Sequence, residues 1–135
     1  MIKDIDDPKV EDIALAAVPQ PNDKTEKPDW YIYLINLKEV GIDNVLIASR
    51  GYGKKDKEQV ETSQLRHFVD HIPPKSYAKI EPIVEDLFGL NNQYWVSFYI
   101  DRTIYDKKYV FLAETIQEKN LTDIPLMGAK GVLLQ

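Results

Sequence analysis

The chain has 135 residues, 44% hydrophobic and 29% charged, with a formal net charge of −5 and no cysteine. These values suit one globular domain with its own core and argue against global disorder. The missing thiols exclude disulfides, thiolate metal sites and cysteine nucleophiles and suit a reducing cytoplasm; the acidic balance disfavours nucleic acid, since only Lys54, Lys55 and Lys57 approach a basic cluster.

Residues 1–11 read as a solvated arm, acidic and without the apolar core of a signal peptide. The segment 12–113 reads as a β-sandwich core and 114–135 as a C-terminal extension. Ile13 to Val18 is apolar, short and stopped by Pro19, which suggests a first strand. Pro19 to Pro28 is loop-like, and Trp30 to Leu37 is the clearest strand, dense in aromatic and β-branched side chains. A turn at Gly41 to Asn44 leads to a third strand, Val45 to Ser49. The stretch Gly51 to Lys57 reads as a polar hairpin tip before Gln59 to Thr62.

The middle admits two readings. Leu65, Phe68, Val69 and Ile72 have helical spacing, as do Ile80, Ile83, Val84, Leu87 and Phe88. The regular punctuation by turn residues favours strands over about 64–70 and 76–81, with a brief helical turn near 84–88. Tyr94 to Ile100 is then a strand, Asp101 to Lys108 a polar connection, and Tyr109 to Ala113 another strand. A short helix is expected from about Thr115 to Asn120 and an edge strand at Gly131 to Leu134. No apolar run reaches the length of a membrane span. The expected fold is mainly β: an antiparallel two-sheet sandwich with one or two short helices.

The residues that could carry chemistry are few. His67 and His71 would meet one zinc on a helix, but on a strand they stand roughly 13 Å apart, and no third ligand is placed by spacing. Gly51-Tyr52-Gly53-Lys54-Lys55 lacks the Ser or Thr and the following helix of a phosphate-binding loop. No serine sits in Gly-x-Ser-x-Gly, and Asp4, Asp6 and Asp7 lack the rest of a calcium loop. Glu81, Glu85 and Asp86 read as surface carboxylates. No catalytic residue, metal site or cofactor is expected.

Alternation offers more. In the second strand Tyr31, Tyr33 and Ile35 share one face and Trp30, Ile32 and Leu34 the other. In the later strand Trp95, Ser97 and Tyr99 oppose Tyr94, Val96, Phe98 and Ile100. Should the two strands be neighbours, Tyr31, Tyr33, Trp95 and Tyr99 would make one aromatic patch for a partner or ligand. The alternative is that these rings pack on a half-buried face.

The stretches Tyr33–Leu37, Asn44–Ile47, Gly51–Gly53, Thr62–Ser63, Leu65–Phe68, Lys79–Ile83, Leu90–Tyr99 and Tyr105–Lys108 resemble an uncharacterised family of small bacterial proteins. Some of its members carry a phenylalanyl-tRNA synthetase subunit label. The resemblance implies an accessory link to tRNA aminoacylation and no catalytic residue, since the class II motif with its paired arginines is missing. At the level of pattern the strand order is also similar to immunoglobulin-like and fibronectin-like sandwiches, a fold that hosts many functions. The expected function is a cytoplasmic, non-catalytic interaction module with a protein partner. Carbohydrate or small-ligand binding on the aromatic face is the alternative, and edge strands leave a homo-oligomer open.

Overall fold

A computed structural model describes residues 8–135, so most of the expected N-terminal arm, with Asp4, Asp6 and Asp7, lies outside the described residues. Among the described residues ten strands form two antiparallel sheets. They are β1 (Ile13–Gln20), β2 (Asp29–Asn36), β3 (Ile42–Lys55), β4 (Glu58–Glu61), β5 (Leu65–Ile72), β6 (Ser76–Ile83), β7 (Asn91–Ile100), β8 (Thr103–Phe111), β9 (Thr122–Ile124) and β10 (Ala129–Leu134). The first sheet has the order β6-β2-β1-β10-β9. The second runs β4-β3-β7-β8, with β5 pairing the first half of the long β3. The sandwich expected from strand spacing is the observed fold.

Period-two alternation builds the layer between the sheets. Leu15, Ile32 and Leu34 from the first sheet meet Val45, Ile47, Tyr94, Val96, Phe98 and Phe111 from the second. On the opposite face of the first sheet, Tyr33 and Ile35 join Ala14, Ala16, Val18 and Ile124 in a second buried cluster. The sheets are also tied by the Tyr109 hydroxyl, which donates to the Ile13 carbonyl at 2.8 Å. The wholly buried Asn36 amide donates to the carbonyls of Val40 and Pro73, pinning the turn after β2 to the corner between β5 and β6.

The helical spacing in the middle loses to strand pairing. Residues 65–72 and 76–83 extend along β3 and β2, because two turns of helix cannot bury as much as an edge strand on a sheet. The turn expected near 84–88 is a single 3-10 turn, Glu85–Leu87.

Four expectations are corrected. Gly51 to Lys57 is not all hairpin tip, since β3 continues to Lys55 and Asp56 and Lys57, both at positive φ, make the turn. Asp101 to Lys108 is mostly strand: Asp101, at φ 55, starts a two-residue turn and β8 begins at Thr103. The helix at Thr115 to Asn120 shrinks to a 3-10 turn over Glu118–Asn120. The C-terminal strand is interior, between β1 and β9, and its Gly131 sits where an added Cβ would lie 2.6 Å from the Ala17 carbonyl oxygen. The segment 114–135 thus supplies core residues, Ile116 and Val132 among them.

Candidate interaction surface

The four rings singled out by alternation divide between the two sheets. β2 belongs to the first sheet and β7 to the second, so Tyr31 and Tyr33 do not share a patch with Trp95 and Tyr99. Sequence alternation fixes which way a side chain points but not which strand lies beside it. Tyr33 is 5% exposed, stacks edge-on against Tyr77, and its hydroxyl accepts from the Gln20 amide at 2.7 Å. Tyr31 is half-buried, with the Lys79 ammonium 4.1 Å from its ring centre.

Trp95 and Tyr99 point outward, as alternation required, and they are not alone. On the outer face of the second sheet Leu46 stands opposite Phe68 on one side and Ser97 on the other, while Tyr99 stands opposite Ile104. Ala48 lies between Arg66 and Trp95, and Trp95 faces Lys108. The result is an apolar belt across all four neighbouring strands, with Phe68 62%, Ile104 49%, Trp95 46%, Leu46 42% and Tyr99 37% exposed. Single exposed apolar residues are ordinary on a protein surface; five brought together by strand register are not. At its β8 margin stand Asp106, level with Ser97, and Lys108, level with Trp95, and at its β5 margin stands Arg66, all exposed.

Phe68, Leu46 and Ile104 escaped the sequence reading. Leu46 sits in an apolar run that reads as fully buried, and Phe68 and Ile104 lie where the reading was ambiguous or polar. The outward parity of β5 and β8 was the available signal, once their strand register is known.

A second cluster lies between the sheet edges. The Glu81 carboxylate on β6 is 9% exposed and accepts three hydrogen bonds from the opposite sheet. His67 Nε2 donates to Oε1 at 2.6 Å, Ser49 Oγ donates to the same oxygen at 3.0 Å, and the Tyr94 hydroxyl donates to Oε2 at 2.9 Å. Burial foremost, then the charge and hydrogen bond of Glu81, push the Tyr94 hydroxyl far above its ordinary range. The contacts run Ser49–Glu81–His67, so the imidazole does not reach the hydroxyl as it would in a nucleophile–base–acid triad. The adjoining cavity holds about 40 Å³, room for a water or two and far below the several hundred Å³ of ligand pockets. Its chemistry is that of a satisfied polar clamp between sheets.

The other candidates separate. His71 pairs with Asp43 at 2.6 Å instead of sharing a metal with His67, and no metal-ligand cluster forms among the described residues. Glu85 pairs with Lys27, away from Glu81. A groove of about 470 Å³ beside the 21–28 loop is lined by Pro28, Trp30, Tyr31, Pro82 and Val84. Trp30 is spent there in an edge-on contact with Phe88, and one face of Tyr31 is held by Lys79. No helix among the described residues is long and apolar enough to cross a membrane.

The sequence matches no protein-family model and no curated protein. The geometry of the chain itself ranks the candidates. The exposed belt stands first.

Proposed function

We propose that this protein is a non-catalytic interaction module that docks a protein partner on the outer face of its second sheet. The observation that carries the reading is the belt of Leu46, Phe68, Trp95, Tyr99 and Ile104, aligned by register across four strands and left in water. An aromatic and aliphatic centre with a charged margin is the composition of a protein–protein docking surface. Its Trp and Tyr carry polar tips, which lowers the cost of exposure before the partner arrives. A cytoplasmic setting belongs to the proposal and is supported by the cysteine-free sequence.

The double variant Phe68→Ser/Trp95→Ser tests the reading. Both side chains are exposed, so the fold should survive while the protein in a cell extract shifts from a larger complex to its free size. An unchanged profile would defeat it, as would a wild type that forms no complex in extract and does not self-associate at high concentration when pure.

The groove at Tyr31 supports a second reading, a small ligand held by Pro28, Tyr31, Pro82 and Val84. The Lys79 contact counts against a stacked sugar, because a ligand ring would have to displace the ammonium from the Tyr31 face. Equilibrium titration with a glycan and metabolite panel, read by tryptophan fluorescence, tests it. Saturable binding lost in Tyr31→Ala would favour the groove.

A further inference from the structure

We infer that the occupant of the belt is a second copy of this chain, packed face to face about a two-fold axis that crosses the strands. The inference rests on the docking-surface reading and names its partner. Such an axis lies in the plane of the interface between β3/β7 residue rows, and it sets each side chain opposite the partner's residue in the same strand, one row along. The rows either side of it read Phe68, Leu46, Ser97, Asp106 and Arg66, Ala48, Trp95, Lys108 across β5, β3, β7 and β8.

Laid on each other in that way, every column is complementary. Leu46 meets the small Ala48 of the second copy, and Trp95 meets Ser97, so large side chains fall opposite small ones. Asp106 meets Lys108, and Arg66 lies over the Phe68 ring, a cation on an aromatic face. Symmetry produces each contact twice. The opposite arrangement, with the axis along the strands between β3 and β7, sets each row against itself in reversed strand order and brings Arg66 toward Lys108 of the second copy, base on base.

Twisted sheets pack about 10 Å apart at about −30°. That rotation leaves the central Leu46, Ala48, Trp95 and Ser97 in register and moves the outer columns by a few ångströms, within reach of the long Arg66 and Lys108 side chains. Four strands about 4.8 Å apart and seven residues long present roughly 450 Å² in projection. Two such faces give about 900 Å², just under the threshold near 1,000 Å² for a stable specific interface and in the range of weak, transient contacts. The net charge of −5 on each copy opposes association further. The expected dimer is therefore reversible and concentration-dependent.

Sedimentation equilibrium on the pure full chain, from about 1 μM to about 1 mM, is the test. Wild type should pass from monomer to dimer within that range. Asp106→Lys and Lys108→Asp each place like charges opposite at two symmetric points, and each should weaken dimerisation by at least about tenfold. The double swap Asp106→Lys/Lys108→Asp restores opposite charges at both points and should return the constant to within about threefold of wild type, a small residue on the 1.4 kcal/mol-per-decade scale. Only a self-paired face predicts that rescue. Both side chains are exposed, and unchanged circular dichroism and urea midpoints confirm that folding is kept. A wild type that stays monomeric throughout, or a double swap no better than the single changes, overturns the second copy as occupant. If the Phe68→Ser/Trp95→Ser variant still loses its complex in extract, the docking-surface reading outlives that failure and the partner is a different protein.

Discussion

Glu81, on an edge strand of one sheet, accepts a 2.6 Å hydrogen bond from Nε2 of His67, on an edge strand of the other. The two residues are joined by the tight corner after Ile72, where consecutive strands leave one sheet for the other. With Ser49 and Tyr94 on the same carboxylate, Glu81 holds the sandwich shut along this side.

Removing that acceptor should therefore be costly without touching the belt. Glu81→Ala leaves the hydroxyls of Ser49 and Tyr94 and the His67 ring without their partner, and should lower stability by about 2–4 kcal/mol. Glu81→Gln keeps one oxygen and the shape, and should cost about 1–2 kcal/mol. Urea midpoints of the two variants check the order.

Stability should fall in base through two buried hydroxyls. Tyr94 and Tyr109 are both held above the ordinary tyrosine value of 10.0, Tyr94 mainly and Tyr109 wholly by burial. Above about pH 10 the unfolded chain therefore releases protons that the folded chain keeps, and unfolding is favoured. Their contribution is complete below pH 10 and is lost as pH rises, at up to about 1.4 kcal/mol per pH unit for each residue. Urea melts from about pH 9 to about pH 11 should show a shallower decline in Tyr94→Phe and in Tyr109→Phe than in wild type.

Gly131 is fixed by contact with the neighbouring strand, not by its dihedral angles. A methyl there would press on the Ala17 carbonyl oxygen at 2.6 Å, which backbone in the middle of a sheet cannot yield. Gly131→Ala should cost about 1–3 kcal/mol, read as a fall of several degrees in the thermal midpoint. The variant tests whether the C-terminal strand is an interior member of the sheet.

Two neighbouring aromatic positions on β7 should behave oppositely. Phe98 is buried and stacks on Tyr105, and Phe98→Ala should cost about 3–5 kcal/mol. Trp95→Ser should change stability by less than about 0.5 kcal/mol, since its ring lies outside the core. Equal losses at the two positions would mean that Trp95 is covered in the free protein.

The contrast between Phe98 and Trp95 was legible before the fold was known, because strict alternation over ten residues fixes facing. The strands favoured over about 64–70 and 76–81, where helical spacing left two readings, run over 65–72 and 76–83, because that spacing is too short to compete with sheet pairing. What stayed hidden is non-local. Nothing in the spacing of Tyr31 and Trp95 says that their strands belong to different sheets, and nothing near His67 announces Glu81 fourteen residues on. The belt was half visible for the same reason: Trp95 and Tyr99 came from alternation, while Phe68, Leu46 and Ile104 joined them only through the register of three other strands.

Photo-crosslinking from position 95 in living cells tests the central claim most directly. A benzophenone amino acid replacing Trp95 should give a discrete adduct with protein, at twice the chain's 15.6 kDa if the partner is a second copy. The same group at exposed Glu58, away from the belt, should give none. Adducts equally abundant at both positions, or absent at position 95, would contradict the assignment of this face as the docking surface.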